Sequence, residues 1–144
     1  MRKLSTLLLT SSLALLALTG CTLFGDKKPP TLKSTTSAEQ YERLLWAAVK
    51  EKKWVQVPGF LAANVTYGEG GKLLTKDQVV PYFQSLNLTD YTITSMVVKP
   101  NGPDMTLSYT LQLAPGSATV NAVSVWQQTS QGWILIVHTE TPTA

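Results

Sequence analysis

Near Leu88 the spacing of apolar residues changes from the 3.6-residue period of a helix to the two-residue period of a strand, and it does not change back. Turn signals at Pro100-Asn101-Gly102-Pro103, Pro115-Gly116 and Thr129-Ser130-Gln131-Gly132 then divide the remainder into four expected strands, over 89–99, 105–114, 117–128 and 133–141. Connections this short make consecutive strands antiparallel neighbours, so a meander is expected. Alternation is cleanest in the second, where Met105, Leu107, Tyr109, Leu111 and Leu113 oppose Thr106, Ser108, Thr110 and Gln112. The last two strands are apolar on both faces: Val120, Ala122 and Trp126 oppose Val123 and Val125, and Trp133, Leu135 and Val137 oppose Ile134 and Ile136. One face is expected to meet helices, and the other needs a cover, for which a second copy of the sheet is the simplest source.

Ahead of the strands the pattern is helical. Ser37 and Gln40 form a capping box, followed by Tyr41, Leu44, Leu45, Ala48 and Val49 at helical spacing, with an end expected near Lys52 and Lys53. A second, shorter apolar helix is expected over 54–61, interrupted by Pro58-Gly59. A short strand over 63–67 leads into the turn Gly68-Glu69-Gly70-Gly71. Thr75 and Gln78 make another capping box, and Pro81 predicts that the helix they open is kinked or very short. Helices first and an antiparallel sheet after them define an α+β layout.

The chain begins with Arg2 and Lys3 and an apolar run over 7–18, too short to cross a bilayer core of about 30 Å. It continues into Leu18-Thr19-Gly20-Cys21, an ending that resembles the lipobox of bacterial lipoproteins. The resemblance implies that residues 1–20 are a removable signal and that the Cys21 thiol takes a diacylglyceryl group and becomes the new N-terminus. Thr22, where an Asp would imply inner-membrane retention, points by the same analogy to the bacterial envelope, at an outer membrane facing the periplasm in a Gram-negative cell. Residues 21–37 then read as the lipidated cysteine and a tether, because Gly25, Lys27, Lys28, Pro29, Pro30 and a Ser/Thr run leave too little apolar surface to offset the entropy of ordering. Residues 38–144 remain for one folded domain.

Composition narrows function mainly by exclusion. Lys and Arg number 12 against 9 Asp and Glu, but two of the cations belong to the signal, and a mature chain near +1 has no electrostatic case for nucleic acid. One Cys and one His rule out a disulfide framework and the usual structural zinc sets, so no metal and no cofactor is expected.

Four stretches carry a resemblance to the NTF2-like superfamily, in particular its SnoaL-like branch (DUF4440): residues 41–46, the turn from Tyr67 to Lys72 with Thr75-Lys76, Val125-Trp126, and Gly132-Trp133 through Val137-His138-Thr139-Glu140-Thr141-Pro142. That resemblance implies a cystatin-like cone, with N-terminal helices packed in a curved antiparallel sheet. It also implies relatives that act as isomerases, dehydratases and cyclases, with an Asp or His base and a Tyr or protonated acid inside the cone. The matching candidates here are His138 as base, Glu140 on the same strand face, and Tyr109 or Tyr41 as hydroxyl donors. Trp126 and Trp133, with His138, are candidate ligand contacts through ring stacking. Two observations count against catalysis: the stretch where catalytic relatives carry an acidic base is Ala62-Ala63-Asn64-Val65-Thr66, and His138 lies near the chain end, where a sheet frays and water is close. Two readings stay open. One is a membrane-tethered, non-catalytic domain for small apolar ligand binding or protein assembly, homodimeric through its sheet; the other is an envelope-bound isomerase, dehydratase or hydrolase acting on a small hydrophobic metabolite.

Overall fold

The computed structural model describes residues 37–143, so the expected export signal, the expected lipidation position Cys21 and the expected tether up to residue 36 lie outside the described residues. Ser37 caps α1 (Ala38–Lys50), accepting the Gln40 N–H on its hydroxyl oxygen at 3.4 Å. The helix stops before Lys52-Lys53 because Lys52 turns left-handed, at φ 57°. Its N–H then bonds the Val49 carbonyl at 3.1 Å, and the Lys53 N–H bonds the Ala48 carbonyl at 2.8 Å, the pair of bonds that ends many helices on a glycine. Because a side chain is strained in that conformation, Lys52→Gly is expected to stabilise the domain by about 1 kcal/mol, read as a higher urea midpoint at unchanged m-value.

Of the short helix expected over 54–61 only a single 3-10 turn forms, Val57–Phe60, with Pro58 in its opening positions and Val57 and Phe60 buried. The chain then enters β1 (Leu61–Glu69), longer at both ends than expected, and turns back into β2 (Lys72–Leu74). The hairpin between them has two residues, Gly70 and Gly71, both at positive φ (53° and 79°), as a two-residue turn of this hand requires. β2 was not anticipated, since three residues are too few to show alternation. Thr75 and Gln78 close the expected capping box on α2 (Lys76–Ser85), a ten-residue helix that continues four residues past Pro81 and so is not the very short helix that Pro81 allowed for.

The meander forms as β3 (Thr92–Asn101), β4 (Asp104–Gln112), β5 (Thr119–Thr129) and β6 (Gly132–Pro142), each antiparallel to the next. The sheet has six strands in the order β2-β1-β6-β5-β4-β3 and is curved and unclosed; β1 lies parallel on β6, which places the last strand in the interior of the sheet. α1 and α2 pack on its concave face. Leu45, Trp46 and Val49 of α1 and Val79 and Phe83 of α2 are buried with Leu107, Leu111, Ala122, Trp126 and Leu135, and each large side chain so buried contributes about 1.5–3 kcal/mol.

A bulge decides which side chains of β6 enter this core. Val125 pairs with Val137 but Trp126 pairs with Leu135, so Ile136 has no partner and the inward parity of β6 reverses across it. Leu135 before the bulge and His138 after it are therefore both fully buried, although they are an odd three positions apart. At the start of β6, Gly132 sits at φ 125°, and a Cβ built there would come within 1.9 Å of the Tyr41 hydroxyl. Gly132→Ala is expected to cost about 3 kcal/mol, from backbone strain and displacement of the buried Tyr41 ring, with the loss visible in chemical denaturation.

Candidate functional site in the cone interior

The polar groups of the core form two hydrogen-bonded clusters side by side. In the first, Glu42 points inward from α1 between Ala38 and Trp46, one helical turn away on either side, and is fully buried. Its Oε1 accepts the Trp46 Nε1–H at 2.9 Å and the Tyr109 hydroxyl at 2.5 Å, and its Oε2 accepts the Trp126 Nε1–H at 2.6 Å. An indole N–H only donates, so the carboxylate is held by fixed donors, with no cation in contact among the described residues. Burial, then the adjacent Glu42 charge, pushes the Tyr109 phenol well above its ordinary range, which keeps it a proton donor.

The second cluster centres on His138. Its Nδ1 lies 2.8 Å from the Ser124 hydroxyl and its Nε2 lies 3.1 Å from Glu140 Oε1. Tyr67 stacks on the ring, with centroids 4.4 Å apart and planes 23° from parallel, and donates its hydroxyl to the same Glu140 oxygen at 2.8 Å. The Trp46 ring closes from another side at 6.0 Å. Burial, and after it the Glu140 charge, raises the Tyr67 phenol far above its usual value; Tyr82 is raised by burial first, then by Glu140 and Glu69.

His138 is thus not the wet, frayed residue that its place near the chain end suggests. β6 is flanked by β1 and β5, and the imidazole is fully buried. His138 and Glu140 do come together, Tyr109 lies in the neighbouring cluster bonded to Glu42, and Tyr41 packs against Phe60, Trp126 and Gly132. Trp126 is fully buried with its N–H taken by Glu42, so it offers no free face for a ligand to stack on. Trp133 is half-buried at the core's margin, opposite Gln128 and not opposite Trp126.

Glu42 is the polar centre that the sequence reading missed. The 62–66 stretch lacks a carboxylate, but an acid reaches the interior from α1 instead. Its signal was present: Glu42 lies inside the stripe of Ala38, Leu45, Trp46 and Val49, where a carboxylate needs buried donors. The donors themselves lie up to 84 residues away in the chain.

Two surface cavities bear on function. One of about 500 Å³ lies along α1 at Leu44, Ala47 and Tyr91, and another of about 400 Å³ lies between the β1–β2 hairpin and the end of β6, where Glu140 is among the lining residues.

No family model matches the chain, and no curated protein matches it in sequence. Solved structures do match in architecture. An NTF2-like protein of unknown function in nutrient uptake from Rhodospirillum rubrum superposes at TM-score 0.67 with 17% identity, over 76% of this chain and 100% of the other. An NTF2-like protein from Cytophaga hutchinsonii gives 0.66 with 14% identity, over 73% and 94%. A protein proposed to be a ketosteroid isomerase, from Shewanella frigidimarina, gives 0.62 with 16% identity, over 76% and 98%. Likeness at this level of identity concerns architecture alone, and the architecture is that of an NTF2-like, cystatin-like α+β cone.

Proposed function

We propose that the chain is a lipid-anchored protein of the bacterial cell envelope, held by Cys21, whose NTF2-like domain is a non-catalytic assembly module that pairs with a second copy through its sheet. The observation that carries the non-catalytic part is the filled interior. Trp46, Trp126, Glu42, Ser124 and His138 are all fully buried, and the three polar ones bond to the chain's own groups and not to an open cavity. Pairing is supported by Val125 and Val137, cross-strand neighbours that are half-buried and lie outside the buried core cluster. Native mass spectrometry of the mature chain tests this: a dimer without added mass is the expected result, and a monomer would remove the pairing.

One observation favours the second reading. Glu140 joins the His138 cluster to the cavity beside the β1–β2 hairpin, the arrangement an envelope-bound isomerase, dehydratase or hydrolase would use with His138 as base. A small molecule retained in the native spectrum and lost on denaturation would shift the conclusion to that reading.

A further inference from the structure

The loop from Glu51 to Gln56 has no role in the interior, yet it is firmly held. The two bonds that end α1 fix its start, the Gln56 N–H bonds the Lys53 carbonyl at 2.9 Å, and Val57 and Phe60 anchor its far side in the core. At its tip Val55 is 77% exposed, the highest value among the large apolar side chains of the described residues. Beside it Trp54 is half-buried, wedged between two small surface cavities of about 190 and 220 Å³ that Lys52 also lines. Lys52 and Lys53 line the cavity at this tip; Lys53 pairs with Glu51, Lys52 makes no ion pair among the described residues, and Lys50, one turn back, pairs with Asp90. Lys52 also occupies a left-handed position where glycine would fit without strain, so local backbone preference does not account for a lysine there.

We propose that this loop docks on an anionic lipid surface, Trp54 and Val55 entering the headgroup region while the lysines face lipid phosphates. The inference rests on the anchored reading above. Two apolar residues are far too little for a stable protein interface, which needs about 800 Å² from each partner. A fluid anionic surface needs no shape match, and a tryptophan with flanking lysines is the composition that sits at a membrane boundary. The net charge of the patch is small, so its affinity is weak for a free protein. A lipid on Cys21 changes that, because a short tether raises the local concentration of membrane to the millimolar range. Geometry allows it: α1 spans about 20 Å from Ser37 to the loop, and the 15 residues between Cys21 and Ser37 reach about 50 Å when extended. Docked this way, the domain would hold one fixed orientation on the membrane.

The test uses the full-length protein on vesicles of phosphatidylglycerol, with or without brominated acyl chains that quench tryptophan on contact. If its intact mass shows no lipid on Cys21, the anchoring reading fails, and docking is then read on the same chain coupled through the Cys21 thiol to a maleimide headgroup lipid. The expected result is bromine quenching of a component that Trp54→Phe lacks. That component should be lost in Lys52→Glu/Lys53→Glu and in brominated phosphatidylcholine. The unanchored chain's partition onto phosphatidylglycerol should fall at least about thirtyfold with the same charge reversal. Lys52→Gly separates docking from folding, since it should quench less while being more stable. Equal emission on brominated and plain phosphatidylglycerol, or quenching unchanged in Trp54→Phe, would overturn the proposal.

Discussion

Replacing Glu42 by alanine is expected to destabilise the domain by at least about 4 kcal/mol. The indole N–H groups of Trp46 and Trp126 and the Tyr109 hydroxyl all donate to this one carboxylate in a fully buried setting. Removing it strands the Trp126 N–H and the Tyr109 hydroxyl, each at about 1–3 kcal/mol, and adds a cavity, while the Trp46 N–H keeps the Tyr109 oxygen as an acceptor at 3.1 Å. Since a domain of this size has only about 5–15 kcal/mol in total, the Glu42→Ala protein should lose a large share of its stability. Glu42→Gln should fall between it and wild type, because the amide keeps one acceptor oxygen but turns an NH₂ toward a donor. Urea denaturation of the three proteins gives the order. Combining Glu42→Leu with Tyr109→Phe removes a donor together with its acceptor, so the pair should lose about 1–3 kcal/mol less than the sum of the single changes. Additive losses would show that the Tyr109–Glu42 bond contributes nothing.

His138→Ala is the second large effect, expected at about 2–4 kcal/mol. A surface histidine near a chain end would cost little, and the sequence alone favoured that modest outcome. Here the imidazole bridges Ser124 and Glu140 and is stacked on Tyr67, so truncation removes two hydrogen bonds and a ring contact and leaves Glu140 with Tyr67 as its remaining donor. His138→Phe restores the ring volume but neither bond and should recover only part of the loss. The same pair bears on function. If the domain assembles without catalysing, the folded fraction of His138→Phe should dimerise as wild type does. A histidine that acts as a base would show itself differently, as lost turnover of a retained small molecule at unchanged dimerisation.

Local spacing made the outline legible. The change of period at Leu88, the polar turn at each strand boundary, and Ser37 and Thr75 before their helices are all written in adjacent residues, because helix and strand periods and cap hydrogen bonds act within a few positions of the chain. Glu42 was half legible, since its place on a buried stripe could be read but its partners could not. Three features depended on tertiary contact. β1 pairs in parallel with β6 across some 70 residues, a pairing that no local pattern encodes. The bulge at Ile136 reverses which side of β6 faces inward; Ile134 to Val137 is apolar throughout, so the sequence carries no mark of the skipped residue. The two polar clusters were decided in the same way: Glu42 and His138 are buried only because donors and acceptors from α1, β1, β4 and β5 arrive at the same depth. The sequence by itself determined the two main helices and the four-strand meander that follows them, whereas hydrogen bonding between distant segments decided that the cone interior holds a polar network, because burying those groups is stable only when the whole fold supplies their partners.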